Sequence, residues 1–407
     1  MASQQRDHHS HRMRSRPRSL RIALLNWRDT GHPEAGGAEV FLTRVSEGLA
    51  ARGHDVTIRV ASYPGAVSDE VSPAGVRIQR RGGRFSIYPR TLGWLARHPH
   101  RFDIVLDVQN GVPFWAPLTK LPTINITHHV HREQWPEVFA PPVARFGWWL
   151  ESRLAPRVYR GCRYIAVSQA TRTELADIGV DPARVDVIYS GLDGAVAVLP
   201  RTALTTNPSL VVLGRLVPHK RVELAIDAVA ALRQDFPGLT LRVVGGGFWA
   251  PKLRDHAELR GVRDAVQFTG TVDDQTKHQI LAESWVNLLP SLKEGWGLVV
   301  LEAAAQGRPT VAFRSAGGTN ESVVHDHTGL LVEDAADFTA AVRRLLSDAD
   351  LLDKYGQAAR HHARQFNWDR TTAELEAVIN NVLERCLPAL TGRTEPVEDC
   401  AAAESTG

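Results

Sequence analysis

Short apolar runs alternate along this chain with longer segments whose apolar residues recur at helical spacing. That pattern predicts parallel sheets wrapped in helices. In the first half the runs are Leu20–Trp27, Val56–Ala61, Asp103–Val108, Thr123–Thr127, Tyr164–Val167 and Val185–Tyr189. Their near-continuous Val, Ile and Leu content predicts strands covered on both faces. Ala38–Arg52 reads as a helix closed by Gly53. A second series follows at Leu210–Leu213, Thr240–Val244, Ala265–Phe268, Val286–Leu289 and Thr310–Phe313, with helical segments such as Val222–Arg233 and Leu298–Gln306 between them. The stretch Gly191–Pro208 has Gly, Pro, Asn and Thr with little periodicity, which marks a domain boundary. The expected fold class is therefore α/β: two doubly wound domains, 20–190 and 209–370, joined by a linker over 191–208. Ligand is expected in the cleft between their strand C-terminal ends. Residues 371–387 are expected to form a C-terminal helix packing back toward the first domain, and 1–19 (basic) and 388–407 to be disordered tails.

Composition narrows the class. A chain of 407 residues is too long for one core. Its 43% hydrophobic and 23% charged content is that of a soluble globular protein. No apolar run approaches the roughly 18–20 residues that span a bilayer, and the first residues lack an apolar signal core. Cys162, Cys386 and Cys400 lie far apart, without metal-like spacing, so neither a disulfide framework nor a zinc site is expected and the compartment reads as cytoplasmic. The net charge of +3 divides into +9 over residues 1–190 and −6 over 191–407. A basic half joined to an acidic half suits a protein that meets a polyanion or anionic membrane through one domain, although chance surface bias gives the same sum.

Four motifs carry chemistry. Gly36-Gly37-Ala38-Glu39 opens the first long helix, where glycines allow close backbone approach and free N–H groups attract an anion. Its spacing matches neither the dinucleotide fingerprint nor the phosphate loop, and a tight strand-to-helix turn would look the same. Arg215 and Lys220, in Gly214–Arg221, follow the first strand of the second domain, and a guanidinium beside an ammonium suits a diphosphate. Glu294-Gly295-Trp296-Gly297-Leu298, followed by Glu302, brackets a helix N-terminus with two carboxylates that can accept hydrogen bonds from sugar hydroxyls. Thr127-His128-His129-Val130-His131 follows a strand, and its spacing fits a cleft-lining histidine better than a zinc site. Asp348-Ala349-Asp350 reads as a helix cap, and the sequons at Asn125 and Asn320 as chance matches.

With these residues in view, the chain resembles the retaining glycosyltransferases of family 4, which have the GT-B fold of two Rossmann-like domains facing each other across a cleft. The resemblance spans roughly residues 20–386 and rests on Gly-Arg-x-x-x-x-Lys ending at Lys220, Val244-Gly245-Gly246-Gly247, the Glu-x7-Glu pair of Glu294 and Glu302, and Ile188-Tyr189-Ser190-Gly191-Leu192-Asp193. It implies that Arg215 and Lys220 bind the donor diphosphate, Glu302 the ribose and Glu294 the transferred sugar. Gly36 and Gly37 would form the phosphate-side loop, joined on the donor by Gly295, Gly297 and Leu298. Gly317 and Gly318 would lie near the sugar. Of the three histidines, His128 would contact the sugar near the reacting carbon, with His129 or His131 as alternatives. The implied reaction moves a hexosyl unit, mannosyl or glucosyl, from a nucleoside-diphosphate sugar with retention. It needs no metal and no cofactor beyond that co-substrate. Front-face attack would proceed with the diphosphate helping to take the acceptor's proton.

The acceptor half offers no matching motif. Between Glu70 and Asp103 seven arginines occur and no acid, with Phe85, Tyr88, Trp94 and Leu95 interleaved. Arg80, Arg81, Arg84, Trp94, Trp148 and Trp149 are therefore candidates for an acceptor-side or anionic-membrane face, and the acceptor is expected to be a lipid or glycan. No nucleic-acid module accompanies the basic residues. The competing readings are a sugar-nucleotide epimerase or hydrolase of the same fold, and a catalytically silent binding protein.

Overall fold

The computed structural model describes residues 19–193 and 204–386. The terminal tails expected to be disordered lie outside the described residues, apart from Ser19, and so do residues 194–203 of the expected linker. The N-terminal domain is built on β1 (Arg21–Leu25), β2 (Asp55–Val60), β3 (Asp69–Val71), β4 (Arg77–Arg80), β5 (Ile104–Gln109), β6 (Thr123–Thr127), β7 (Arg163–Ala166) and β8 (Val185–Val187). They form one eight-stranded sheet in the order β3-β4-β2-β1-β5-β6-β7-β8, parallel except for β3. The C-terminal domain holds β9 (Ser209–Leu213), β10 (Thr240–Val244), β11 (Val266–Gly270), β12 (Val286–Leu289), β13 (Thr310–Phe313) and β14 (Gly329–Val332). Their order, β11-β10-β9-β12-β13-β14, is parallel throughout.

In both sheets the strand order reverses beside the first strand, between β1 and β5 and between β9 and β12. Loops leaving those carboxyl ends diverge and open a crevice, where doubly wound folds bind ligands. The central strands sit deep: every residue of β5, β6, β12 and β13 is buried, as expected of parallel strands covered on both faces. Two strands lie in or beside the arginine-rich stretch. β3 is exposed along its length, and β4 pairs with it antiparallel, so neither has an apolar face for a sequence pattern to show.

The chain crosses between domains twice. Leu192 bridges to Asn367, and Gly191 lies so close under Asn367 and Trp368 that a Cβ there would clash with their backbone. The helix Trp368–Cys386 then lies along the helix Gly37–Ala51, burying Leu375 and Ile379 in the same core as Leu24, Leu42, Ile104 and Leu106. Glu376 fixes it there, pairing with Arg52 at 3.2 Å and His54 at 3.0 Å.

Candidate functional site

Two C-terminal-domain loops build one wall. The first leaves β9 at Gly214 and carries Arg215, then tightens into a single 3₁₀ turn, Pro218–Lys220. Arg221 ends that turn in left-handed backbone, φ 46°. This unfavourable conformation is held by guanidinium bonds to the carbonyls of Pro290, at 2.8 Å, and Ser291, at 3.2 Å. The clamp ties the first loop to the second, which leaves β12, and sets Lys220 Nζ 2.5 Å from Glu294 Oε1. Glu294 N–H donates to the Ala316 carbonyl and Gly318 N–H to that of Glu294, so the Gly317-Gly318 loop braces the second loop from behind. Gly297, φ 86°, caps the helix Leu298–Ala305. Its free N–H groups and positive dipole end face the crevice side of the loop.

Glu302 lies farther along that helix and accepts from Lys277 Nζ at 2.7 Å. Burial works against the Lys277 charge, but Glu302 and Asp274 hold its ammonium above the ordinary lysine range. Each glutamate of the Glu-x7-Glu pair is thus matched by one lysine. Nothing in the sequence singled out Lys277, which stands on the helix Asp274–Glu283.

The opposite wall is the N-terminal domain. A loop over 26–36, rather than a tight turn, joins β1 to the helix Gly37–Ala51. Glu39, fully buried, accepts the Gly36 N–H at 2.7 Å and Arg28 Nε at 3.1 Å. A Cβ on Gly36 would stand 3.3 Å from Arg215 Nε, and one on Gly37 3.3 Å from Leu298 Cδ1. Two helix N-termini and Arg215 therefore approach one another across the crevice, so that a methyl on either glycine would push its neighbour back by a few tenths of an ångström.

The three histidines separate. His128 is buried, with its ring edge-to-face on Phe41 at 5.3 Å, and its Nε2 has no hydrogen-bond partner. Burial, reinforced by His131, pushes its pKa down to about 4, so the ring is neutral at pH 7. His129 is held well below the usual histidine range by burial, with His131, His128, His219 and Lys293 adding to the effect. His131 is committed elsewhere: its Nδ1 lies 3.0 Å from the fully buried Glu151, which also accepts Trp135 Nε1 at 2.6 Å. Burial, with Lys220 and Arg215, likewise lowers His219 to about 4. Other polar atoms near the braced loops lack protein partners, namely Ser291 Oγ, Ser322 Oγ and Trp296 Nε1.

Contacts across the domains are dense. Glu321 reaches from the C-terminal domain to the free N–H groups opening the helix Gln169–Asp177, at 2.9 and 3.0 Å, and accepts Tyr189 Oη at 2.9 Å. Lys293 pairs with Glu174, which also takes the Val130 N–H. No sequence signal pointed to either contact.

The membrane-side candidates divide. Arg80 is buried, bonded to Asp29 at 2.6 Å and Glu70 at 2.7 Å, so it faces no membrane. Trp94 packs into the N-terminal core between the guanidiniums of Arg59, at 4.3 Å, and Arg101, at 5.5 Å. Trp148 packs on the cluster of Tyr159 and Tyr164. These three assignments are corrected: acids distant in sequence and ordinary core packing absorb them. Arg81 pairs with Asp69 at 2.5 Å. Arg84 and Trp149 stay exposed. Asp348 caps its helix, accepting the Leu351 N–H at 2.9 Å, and Asn125 is buried in β6. No helix among the described residues is long and apolar enough to cross a membrane.

Residues 35–195 match the family described as Glycosyltransferase Family 4, and 201–362 the family described as Glycosyl transferases group 1. A GDP-mannose-dependent alpha-(1-6)-phosphatidylinositol monomannoside mannosyltransferase of Mycobacterium tuberculosis is 30% identical, over 84% of this chain and 94% of its own. A glycogen synthase of the same organism is 28% identical, over 86% and 92%. Among solved structures, sucrose-phosphate synthase from Thermosynechococcus elongatus superposes with a TM-score of 0.77 at 21% identity, covering 91% of this chain and all of its own.

Proposed function

Since the chain belongs to the glycosyltransferases that pair a family 4 N-terminal domain with a group 1 C-terminal domain and have the GT-B fold, we propose that it moves a hexosyl unit from a nucleoside-diphosphate sugar to a lipid or glycan acceptor, retaining the anomeric configuration and without a metal. The observation that carries this reading is the meeting of Arg215, the Lys220–Glu294 pair and two helix N-termini across one crevice. A departing diphosphate there faces a guanidinium, an ammonium and aligned backbone N–H groups, the electrostatic stabilisation that leaving-group departure needs. Glu302 would take the ribose hydroxyls. Glu294 would exchange Lys220 for the hydroxyls of the transferred sugar, releasing the ammonium to the phosphate. Neutral His128, with Nε2 unpartnered, would bond a sugar hydroxyl near the reacting carbon. In front-face attack the diphosphate oxygen on the acceptor's side takes the acceptor proton as the oxocarbenium-like sugar moves across.

The mannosyltransferase relative is named for GDP-mannose and a phosphatidylinositol mannoside, which makes mannosyl transfer to a lipid the first variant to assay. Peripheral attachment to the inner face of the cell membrane belongs to the same reading. Its support is now the helix Pro141–Trp149, where Val143, Phe146 and Trp149 are exposed at helical spacing and the two rings stack at 16°. Flotation with anionic vesicles tests it: recovery no greater than with neutral vesicles would sink it. Proton NMR of the product with a matched donor tests the chemistry. The α-anomer from an α-linked donor, formed equally in EDTA, is expected, and an inverted product refutes it.

A further inference from the structure

Three arginines of the stretch between Glu70 and Asp103 are matched by acids: Arg77 by Asp55, Arg80 by Asp29 and Arg81 by Asp69. Arg84 has no acidic partner among the described residues. Its guanidinium stands instead among aromatic faces, 5.4 Å from the Trp27 ring centroid, 5.7 Å from that of Phe85 and 5.5 Å from that of Phe139. These residues come from three strand ends: Trp27 follows β1, Arg84 and Phe85 follow β4, and Phe139 lies in the segment after β6. All three loops leave carboxyl ends, on the crevice side of the sheet.

The cluster adjoins the donor site through a chain of contacts. Arg28 Cζ lies 4.0 Å from the same Trp27 ring, Arg28 pairs with Glu39, and Glu39 holds the Gly36 that faces Arg215. Arg84 and Arg28 also share one neighbour, Tyr88, whose hydroxyl burial pushes up while both cations pull it down. A guanidinium resting among rings is held by their quadrupoles while its N–H edge remains free. That edge matches the paired oxygens of a phosphoryl group, whose higher charge pairs with it more strongly than a carboxylate does.

We propose that Arg84, framed by Trp27 and Phe139, holds a phosphoryl group of the acceptor, so that the enzyme glycosylates a phosphate-bearing sugar or polyol. The assignment rests on the glycosyltransferase reading and adds the acceptor's chemical class to it. The phosphate can belong to a soluble ester or to a lipid headgroup.

Equilibrium dialysis with radiolabelled orthophosphate tests it, on protein whose donor site is filled with whichever of UDP, GDP or ADP stabilises it. The expected result is one saturable phosphate site, weakened about tenfold or more in Arg84→Gln, partly restored in Arg84→Lys and unchanged in Arg97→Gln, an exposed arginine on the next helix. Nucleotide affinity should be equal in all four proteins. Equal phosphate binding by wild type and Arg84→Gln, or none by either, overturns the proposal. Displacement by glycerol 3-phosphate identifies a soluble ester as the source, and displacement only by phosphatidylglycerol vesicles identifies a headgroup. Displacement by neither reduces the site to a bare-ion site and overturns its assignment to the acceptor. Absence of any nucleotide response counts against the donor reading instead, and the comparison of wild type with Arg84→Gln still reports on Arg84.

Discussion

Replacing Gly295 with alanine asks whether the site works only when the two domains are pressed together. The new methyl would stand 3.1 Å from the His128 carbonyl carbon and 3.3 Å from Val167 Cγ2, and closer than 3.0 Å to the His128 oxygen, which real Cβ atoms essentially never approach so nearly. The His128 carbonyl cannot swing aside, because it accepts Thr171 Oγ1 at 2.9 Å. Both obstructing residues belong to the N-terminal domain, so the clash is relieved by moving the domains apart. Overpacking of this kind costs about 1–3 kcal/mol, which lowers the closed population roughly 5- to 150-fold. A shift of ~1 Å between reacting groups has a comparable effect on rate, about a hundredfold. Turnover is read as nucleoside diphosphate released from the sugar nucleotide, and nucleotide affinity by calorimetry. Turnover in Gly295→Ala should fall at least about fivefold, while affinity changes by less than about threefold, because Arg215, Lys220 and Glu302 all lie in one domain. Gly318→Ala is the contrast. Its methyl would strike the Gly295 carbonyl and stand 3.0 Å from Trp296 Cα within the same domain, so it should lower both melting temperature and affinity. Full turnover in Gly295→Ala would show that the domains need not press together for the reaction.

Three further outcomes are expected. Arg28→Ala leaves the fully buried Glu39 without its ion partner and should cost about 3–5 kcal/mol in urea unfolding; a loss below about 1 kcal/mol contradicts the buried pair. Glu294→Gln frees Lys220 from its carboxylate, so nucleoside diphosphate should bind severalfold more tightly while turnover is lost, and weaker nucleotide binding would show that Lys220 does not serve the phosphates. His128 is held neutral at a pKa of about 4, below the unfolded value of about 6.5, so its contribution to stability is complete above pH 6.5 and is lost as pH falls toward 4. The stability difference between wild type and His128→Gln should shrink between about pH 7.5 and 5, and a flat difference would remove the histidine from that role.

Much of the fold could be read from the sequence because parallel strands are buried on both faces. Thr123–Thr127, Thr240–Val244 and Val286–Leu289 stand where their apolar runs lie. β3 and β4 escaped because Asp69–Val71 is wholly exposed and β4 is half arginine. The arginine-rich stretch misled for a tertiary reason: the acids that neutralise it, Asp29, Asp55 and Asp69, are contributed from outside the run of arginines. In the site, the glycines and the residue pairs at fixed spacing were legible because close approach and helix periodicity leave marks in one segment. Lys277, Glu321 and the Lys293–Glu174 pair were not, since each acts across separate elements and nothing local distinguishes it from a solvated charge.

Everything proposed for the crevice depends on its holding a nucleoside diphosphate through Arg215, Lys220 and Glu302. Thermal unfolding of wild type and Lys220→Ala with UDP, GDP, ADP and their sugar conjugates is the decisive test, because a ligand confined to the folded state raises its melting temperature by mass action. A clear rise is expected for wild type with one base, and a much smaller one for Lys220→Ala. No rise with any nucleotide, or the same rise in both proteins, would mean that these residues do not form the donor site.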